Sequence, residues 1–228
     1  MSKKVVLALS GGMDSVTLAG YYLDKEYEIH PITFNYGSKH NKYENEAASN
    51  VIKYWQKSEF PIQDMKYIEL PFINNFFKSN LLSNQGEIPE GHYEQENMSL
   101  TVVPGRNLIF ISIMLGYAWS IGADTIAVGV HGGDHTIYGD CRAGFIASMN
   151  ASVIQASDNK VHLEAPFQYL DKTKIIEIGL SLNTVIPYHL TRTCYKDQEF
   201  SCGKCGSCQE RLEAFKNLGK KDQIKYEE

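Results

Sequence analysis

Short runs of apolar and β-branched residues alternate with longer segments of helical periodicity along the whole chain. Five runs have the length and composition of strands, and they lie at residues 4–9, 28–37, 66–70, 124–130 and 161–165. Segments with apolar residues spaced three and four apart lie at residues 14–25, 42–57, 104–123, 142–157, 171–182 and 209–218. This alternation predicts an α/β fold in which helices cover both faces of a parallel sheet, with ligands at the carboxyl ends of the strands.

Three segments depart from this alternation. Residues 74–98 are rich in Asn, Gly, Ser and Glu, and their weak periodicity predicts a long loop or a partly helical insert. The helix at 104–123 is almost entirely apolar from Leu108 onward, so we expect it to be buried on most sides. Its polar residues and glycines argue against a membrane span. The stretch from Cys194 to Cys208 is too rich in Cys and Gly to predict a regular element.

Composition and charge narrow the class of partner. The 228 residues carry a net charge of −5, and no basic stripe predicts direct contact with nucleic acid. The apolar run near the N-terminus spans about six residues, which is too short for a signal peptide or a membrane span. We therefore expect a cytoplasmic protein with reduced thiols and no membrane partner.

The link between the first strand and the first helix reads Ser10-Gly11-Gly12-Met13-Asp14-Ser15. Glycines permit positive φ and close approach of a ligand to the backbone. The helix N-terminus that follows offers free N–H groups and a partial positive charge, and the two serines add hydroxyls. The segment therefore predicts an anion site, with a plain strand-to-helix turn as the alternative. It lacks the lysine of a Walker loop and also the G-x-G-x-x-G pattern.

Four of the five cysteines crowd together near the C-terminus, at Cys194, Cys202, Cys205 and Cys208. In a reducing compartment such a cluster indicates metal ligands rather than disulfides. Four thiolates suit one tetrahedral Zn²⁺ with no open position, which predicts a structural site. An iron–sulfur cluster is the alternative, because ferredoxin-like runs also use C-x2-C-x2-C spacing. The fifth, Cys141, is expected to be a packed core residue rather than a nucleophile.

The Ser-Gly-Gly-x-Asp-Ser segment resembles the pyrophosphate loop of the N-type ATP pyrophosphatases, a superfamily that includes GMP synthetase and asparagine synthetase. The resemblance implies a doubly wound, five-stranded parallel sheet of the adenine nucleotide alpha hydrolase-like type. It also implies that ATP, bound with Mg²⁺, is a cosubstrate whose β- and γ-phosphates occupy the loop. A substrate oxygen then attacks the α-phosphate, AMP is transferred and pyrophosphate leaves. A loop without a lysine suits this adenylation better than transfer of the γ-phosphoryl group.

Further motifs are similar to those of the 7-cyano-7-deazaguanine synthase family, over residues 5–211. They are P-G-R-N at 104–107, Y-G-D-C-R at 138–142, T-R-T-C-Y at 191–195, and C-x7-C-x2-C-x2-C from Cys194. The chain departs from the family at Gly139, where members often have proline, and at 131–135, which reads HGGDH. The resemblance implies an ATP-dependent C–N ligase of queuosine biosynthesis that converts 7-carboxy-7-deazaguanine and ammonia to 7-cyano-7-deazaguanine through adenylated acid and amide. It also implies a homodimer with one zinc per chain.

Site residues follow from the motifs and the resemblance. The guanidinium of Arg106 suits phosphate or carboxylate, although a surface role at the helix start is an alternative. Asp134 and Asp140 flank a loop at the end of the fourth strand, where they either bind substrate N–H groups or Mg²⁺ or serve as turn aspartates. A second metal site at His131 and His135 is a further alternative.

The predicted roles divide the residues into four sets. The catalytic set is Asp14, Arg106, Asp140 and Arg142. The ATP-binding set is Leu9, Ser10, Gly11, Gly12, Met13, Asp14, Ser15, Val16, Thr17, Leu18, Ala19, Asn35, Arg106 and Asn107. The substrate-binding set is His131, Asp134, Asp140, Arg142, Thr193 and Tyr195. The metal-binding set is Cys194, Cys202, Cys205 and Cys208. Two domains are expected, an ATP-pyrophosphatase-like domain at 1–190 and a zinc-binding tail at 191–228 that packs on it as one functional unit.

Rival functions remain open at this point. One is a related ligase that joins the deazaguanine carboxylate to a different amine, and another is a non-catalytic adenine-nucleotide sensor. A tRNA thiolation enzyme is a third, but it needs a basic surface for tRNA. Because the sequence contains no glutaminase half, free ammonia is the expected nitrogen source.

Overall fold

The structure is a computed structural model that describes residues 3–83, 85–91, 96–133 and 137–227. Five strands form one sheet, in the order β3-β2-β1-β4-β5, and every pair of neighbours is parallel. The strands are β1 (Lys4–Ala8), β2 (Glu28–Asn35), β3 (Lys66–Glu69), β4 (Thr125–Ala127) and β5 (His162–Glu164). The predicted five-stranded parallel sheet is confirmed.

Seven α-helices connect or follow the strands within the described residues. They are α1 (Met13–Asp24), α2 (Asn41–Lys57), α3 (Pro71–Phe76), α4 (Arg106–Ile121), α5 (Ala143–Ala156), α6 (Lys172–Ser181) and α7 (Gly206–Asn217). Short 3₁₀ helices lie at Glu96–Thr101, Gly139–Cys141 and Tyr188–Leu190. The segment predicted as a loop or partly helical insert therefore runs from the end of α3 into the first of these 3₁₀ helices.

Alternate residues of β1 bury opposite faces of the sheet. Val6 belongs to an apolar layer that includes Ile111 and Met114 of α4. Val5 and Leu7 belong to the other layer, which is formed with α1, α2, α6 and α7. Helices thus cover both faces, which is the doubly wound arrangement.

The expectation that the long apolar helix is buried on most sides is wrong. Within α4 only Ile111, Met114 and Ala118 are fully buried. Leu108 and Trp119 of the same helix are 46% and 42% exposed. The helix covers the sheet with one face, so its overall hydrophobicity did not show how many faces are covered. By length and composition alone, the stretch Met98–Ile121 qualifies as a candidate membrane span.

The C-terminal segment is more regular than the sequence predicted. Helix α7 begins at Gly206, directly after Cys205, so Cys208 lies in its first turn rather than in irregular chain. Ala214 and Phe215 of α7 pack in the same apolar layer as α1 and α6. The segment also contacts the insert, where Glu90 forms an antiparallel bridge with Cys205.

The strand order reverses direction at β1. Strands β2 and β3 lie on one side of it, and β4 and β5 lie on the other. In open parallel sheets such a switch point leaves a crevice outside the carboxyl ends of the two central strands. The chain that follows β1 contains Ser10 to Ser15, and the chain that follows β4 contains His131.

Candidate active site

A cavity of about 220 Å³ opens at this switch point. Its lining comes from the ends of β1, β2 and β4, the start of α4, and residues 192–195 beside the cysteine segment. The polar part contains Ser10, Asp14 and Ser15, and the aromatic part contains Phe34, Tyr36, Phe110, Tyr138 and Tyr195. An anionic group and a planar ring system can therefore occupy the same cavity.

The Ser-Gly-Gly segment forms a tight turn at the polar end. Gly12 is the N-cap residue of α1 and has no side chain with which to cap the helix. Ser10 Oγ accepts a hydrogen bond from Gly12 N at 3.2 Å, and Ser15 Oγ donates to Gly12 O at 3.0 Å. The two serine hydroxyls lie 3.2 Å apart. The start of α1 thus presents hydroxyls and backbone N–H groups, which is the arrangement that binds phosphate at helix N-termini.

Gly11 is required in this turn for two reasons. Its φ is +79°, in the left-handed region. A Cβ at this position would lie 2.6 Å from Ala48 N and 2.7 Å from Glu44 O, both backbone atoms of α2. The loop can keep this shape only with glycine, because a side chain would be strained and would collide with a helix that cannot move away easily.

Asp14 takes part in a cluster of charged side chains beneath the turn. Lys172 Nζ lies 3.3 Å from Asp14 Oδ2, donates to Glu210 Oε2 at 2.8 Å, and lies 2.8 Å from His131 Nε2. Burial would raise the pKa of Asp14, but Lys172 and His131 outweigh that effect and hold the pKa below its ordinary value. Oδ1 of Asp14 is buried and has no hydrogen-bond partner in the described structure.

Lys172 is a site residue that the sequence reasoning missed. It lines the cavity and is the first residue of α6, after the capping residue Asp171. The macrodipole of a helix disfavours a cation at this end. A lysine in this position was therefore a signal, since its charge needs an anionic partner elsewhere in the fold. A distant part of the chain thus places a cation beside Asp14, although the segment from Ser10 to Ser15 contains no lysine.

Arg106 opens α4 on the opposite side of the cavity. Its Nη1 donates to Tyr36 Oη at 3.1 Å, and its guanidinium lies 5.8 Å from the ring centres of Tyr36 and Tyr138. Burial disfavours the charged form, but the surrounding tyrosines and Cys141 hold the pKa of Arg106 above its ordinary value. Arg106 is therefore a half-buried cation whose described polar partner is a phenol, and it is free to pair with an anionic ligand.

Asp140 interacts with the start of α4 rather than with the cavity. Its Oδ2 accepts from the backbone N of Asn107 at 2.9 Å, and its carbonyl oxygen accepts from Asn107 Nδ2 at 3.1 Å. Asn107 also contacts Cys141 Sγ at 3.3 Å. Arg142 is exposed, and the described cavity lining includes neither Asp140 nor Arg142. Asp134 lies outside the described residues.

The predicted ATP-binding residues divide into two groups. Those that line the cavity are Leu9, Ser10, Gly12, Asp14, Ser15, Arg106 and Asn107. Those absent from the described lining are Gly11, Met13, Val16, Thr17, Leu18, Ala19 and Asn35. Most of the second group belong to the buried body of α1 and support the turn from behind.

Of the predicted substrate-binding residues, His131, Thr193 and Tyr195 line the cavity. Sequence reasoning missed the aromatic residues beside them, including Phe34 and Phe110, whose rings stack at 3.9 Å between centres. It also missed His40, which is buried, lies 5.3 Å from the Tyr195 ring and has its Nε2 3.4 Å from Glu44 Oε2. These residues come from segments that carry no recognisable motif.

The four clustered cysteines converge in space. They are all buried, and their sulfurs lie within 4.8 Å of one another. The sulfurs of Cys202 and Cys208 are 3.9 Å apart, which matches the edge of about 3.8 Å expected for a tetrahedron with Zn–S bonds of about 2.3 Å. Backbone N–H groups of Lys196 and Cys202 point at Cys194 Sγ at 3.4 and 3.3 Å.

The four thiols lie close enough to influence one another's pKa. Hydrogen bonds from neighbouring thiols hold the pKa of Cys202 well below its ordinary value, and contacts with the same neighbours raise the pKa of Cys208. Adjacent thiolates repel each other, so a cation between them would stabilise the cluster. The donor set, its burial and its spacing fit a tetrahedral metal ion.

Sequence comparisons show the family of this chain. The family model of the queuosine biosynthesis protein QueC matches residues 4–219. The chain is 42% identical over 227 residues to a 7-cyano-7-deazaguanine synthase from Marinomonas sp. (strain MWYL1), and the alignment covers 100% of both chains. It is also 42% identical to a 7-cyano-7-deazaguanine synthase from Methanoregula boonei, over 98% of this chain and 99% of that protein.

The comparison with solved structures supports the fold. An NMN synthetase from Francisella tularensis superposes with a TM-score of 0.51 at 14% identity, and the match covers 96% of this chain and 78% of that chain. Because the identity is low, this likeness concerns the fold alone. The match to the family model over residues 4–219 and the identity of 42% to a full-length relative show that the chain belongs to the QueC family of queuosine biosynthesis proteins.

Proposed function

We propose that this protein converts 7-carboxy-7-deazaguanine and ammonia to 7-cyano-7-deazaguanine, with ATP as cosubstrate and with adenylated acid and amide intermediates. The relatives described above carry the name of this activity. The proposal rests on one observation, which is that two elements suited to bind anions lie in the same cavity. The start of α1 offers hydroxyls and N–H groups at one end, and the guanidinium of Arg106 faces the same space.

The first round activates the carboxylate. One carboxylate oxygen attacks the α-phosphorus of ATP, a P–O bond forms, and the bond to the β-phosphate oxygen breaks. Negative charge develops on the departing pyrophosphate, where Ser10, Ser15 and the N-terminus of α1 are already in place to stabilise it. Ammonia then attacks the acyl carbon, AMP leaves, and the nitrogen loses a proton to give the amide.

The second round uses the same elements on the amide. Its oxygen attacks the α-phosphorus of a second ATP, and pyrophosphate leaves again. The C–O bond of the adenylated amide then breaks, AMP departs with that oxygen, and loss of the remaining N–H protons yields the nitrile. Both rounds start with an oxygen that attacks the same phosphorus, so one cavity serves both. We assign Arg106 to the α-phosphate and the substrate carboxylate, and the aromatic residues around Tyr195 to the deazaguanine ring.

Metal ions complete this proposal. Mg²⁺ bound with ATP would neutralise phosphate charge, and Asp14, with its unpaired buried Oδ1, is the residue in place to interact with it. We assign one Zn²⁺ to Cys194, Cys202, Cys205 and Cys208. Four thiolates leave no open position, so this ion is structural.

The decisive experiment identifies the products and determines which of them contain an ¹⁸O label. Purified protein is incubated with ATP, ammonium and 7-carboxy-7-deazaguanine carrying ¹⁸O in the carboxylate, and the products are analysed by mass spectrometry. We expect the nitrile, AMP with ¹⁸O and pyrophosphate. ADP with ¹⁸O in inorganic phosphate would show γ-phosphoryl transfer and would refute the role assigned to the loop.

The same assay separates the rival functions. A ligase for another amine would accumulate the adenylated acid with ammonium and would form an amide only when other amines are supplied. A non-catalytic sensor would bind ATP and release no pyrophosphate. Omission of ammonium from the true synthase should leave the adenylated acid as the last product.

The metal assignment has its own test. Elemental analysis should give about one zinc per chain, with no visible absorption band. Cys205→Ser should lose the metal and unfold at a lower denaturant concentration, because binding of a structural zinc contributes directly to folding. A brown protein that contains iron and sulfide would replace zinc by the iron–sulfur alternative.

We also propose a cytoplasmic homodimer that acts on small molecules and does not bind nucleic acid. Two features support the dimer. The outer face of α4 exposes Leu108 and Trp119, and the outer face of α5 exposes small residues such as Ala147 and Ala151. The net charge of −5 offers no attraction to phosphate backbones. Light scattering should give the mass of two chains, and Trp119→Asp should give the mass of one.

A further inference from the structure

We propose that the cysteine centre and the phosphate loop are energetically coupled, and that Glu210 is the positioning residue that couples them by acting on Lys172. Occupancy of the cysteine centre by Zn²⁺ then raises the affinity of the loop for ATP, and ATP raises the retention of Zn²⁺. This inference rests on the proposed function, since it takes ATP as the ligand of the cavity and Zn²⁺ as the ligand of the cysteines. Two separate chains of contacts join the two sites.

The first chain of contacts runs through Arg192. Its backbone N donates to the carbonyl oxygen of Gly11 at 2.9 Å, so the segment before the cysteines directly contacts the turn that holds phosphate. The guanidinium of the same residue donates to the carbonyl oxygens of Lys196, Gln198 and Glu199, at 3.0, 2.6 and 2.9 Å. Those carbonyls belong to the loop between Cys194 and Cys202. One residue therefore links the conformation of the metal-binding loop to that of Gly11.

The second chain of contacts runs through α7. Cys208 and Glu210 both lie within the first five residues of this helix, which begins directly after Cys205. Metal binding that fixes Cys205 and Cys208 therefore also fixes the position of Glu210. The Glu210 carboxylate holds the ammonium of Lys172 at 2.8 Å, and that ammonium lies 3.3 Å from Asp14 Oδ2 in the phosphate loop.

Little freedom remains along this second path. The Lys172 side chain is buried, and the Glu210 carboxylate packs so closely against Gly133 that a Cβ at position 133 would collide with it. Farther along α7, Arg211 is fully buried and is held by Asp222 at 2.7 Å and by Thr191 at 2.7 Å. A shift of α7 after metal loss would therefore move Lys172 or break its contact with Glu210 rather than be absorbed nearby.

Coupling between two binding sites is reciprocal. If Zn²⁺ raises the affinity for ATP by some factor, ATP must raise the affinity for Zn²⁺ by the same factor. Coupling of this kind typically amounts to a factor of about 5 to 150. We expect each ligand to raise the affinity for the other about tenfold, because the contacts are direct but pass through two side chains.

The experiment measures zinc transfer from the folded holoprotein to a chromogenic chelator, well below the unfolding temperature, with and without Mg·ATP. ATP is expected to lower the extent of zinc loss at equilibrium about tenfold in the unmodified protein. In Glu210→Gln, ATP should lower the extent of zinc loss less than threefold. Glu213→Gln is the matched control, because it removes the same charge from an exposed position of the same helix, and we expect it to behave like the unmodified protein.

Two further readouts separate coupling from general stabilisation by a ligand. Thermal unfolding of Glu210→Gln and Glu213→Gln should occur within a few degrees of each other, so that a difference in zinc protection does not reflect global unfolding. In Lys172→Met, a second substitution of Glu210 by Gln should change zinc protection no further, because the residue through which it acts is gone.

Equal protection of zinc by ATP in Glu210→Gln and in the unmodified protein would overturn this inference, as would an absence of protection in the unmodified protein. Failure of the proposed function has a different signature. In that case the protein would bind no ATP by calorimetry or would contain no zinc. Binding of both ligands without any dependence of one on the other refutes only the coupling.

Discussion

Two helix N-termini lie at the same cavity, and they are built in opposite ways. The start of α1 has a glycine, Gly12, as its N-cap residue, and its turn packs against the backbone of α2. The start of α4 is closed by Asp140, whose carboxylate accepts from the backbone of Asn107 at 2.9 Å. Both starts use a glycine with positive φ, Gly11 at +79° and Gly105 at +65°.

The difference shows that a helix N-terminus can serve two purposes. At α1 the N-cap residue is a glycine that has no capping side chain, so the backbone of the first turn is the element that we propose for phosphate binding. At α4 the carboxylate of Asp140 occupies the anion position of the helix start. What α4 contributes to the cavity is therefore the side chain of Arg106, positioned by a helix whose end is already satisfied.

The largest expected effect comes from a methyl group added at each glycine. Gly11→Ala and Gly105→Ala both place alanine in the left-handed region, at a cost of about 1–2 kcal/mol. Only at Gly11 does the new Cβ meet backbone, at 2.6 Å from Ala48 N, which adds an overpacking cost of about 1–3 kcal/mol. At Gly105 nothing lies within 4 Å of the Cβ.

Denaturant unfolding of the two variants measures this difference, with Gly122→Ala as a third member of the series. Gly122 has φ +67° and open space around its Cβ, so it should match Gly105. Equal free energies of unfolding for Gly11→Ala and Gly105→Ala would mean that α2 shifts to make room for the new methyl group. The turn would then not be rigid.

The second effect concerns the side chain at α4. Arg106→Gln should reduce kcat/KM for pyrophosphate release about 100- to 1000-fold, because it removes a preorganised donor to charge that develops in the transition state. Stability should change little, since Arg106 forms its described hydrogen bond with the phenol of Tyr36 rather than with a carboxylate. Arg106→Lys keeps the charge without the planar fork, so it should recover only part of the loss. A turnover within threefold of the unmodified protein in Arg106→Gln would remove this residue from the mechanism.

Much of the fold could be predicted from the sequence, because alternation of strands and helices has few solutions. The five strands and the position of the loop after β1 follow from local patterns. Strand β4 is shorter than predicted and ends at Ala127, and residues 128–130 beyond it line the cavity. The burial of α4 could not be predicted, because hydropathy does not tell how many faces of a helix find a partner.

The candidate site was predictable where a motif is continuous in sequence and less so where the fold assembles it. The segment Ser10 to Ser15 and the four cysteines form local clusters, and the structure brings each cluster together. Lys172 joins the loop only through the tertiary fold, although its place at a helix start was a clue. His40 and Tyr36 belong to α2 and its approach, and no local pattern distinguishes them from core residues.

The smallest effect tests what Asp140 does. As a helix cap, Asp140→Ala should cost about 1 kcal/mol of stability, within the range of about 0.5–2 kcal/mol for lost caps. Asp171 is the matched comparison, because its Oδ1 accepts from Lys174 N at 2.7 Å at the start of α6. The two alanine variants should therefore lose similar free energies of unfolding in urea.

In Asp140→Ala, kcat/KM should fall less than in Arg106→Gln, because the substitution only loosens the helix that positions the guanidinium. If Asp140→Ala instead keeps full stability and loses turnover, the Asp140 carboxylate contacts the substrate directly, as the sequence predicted. The two helix starts would then both bind ligand, and the contrast between them would disappear.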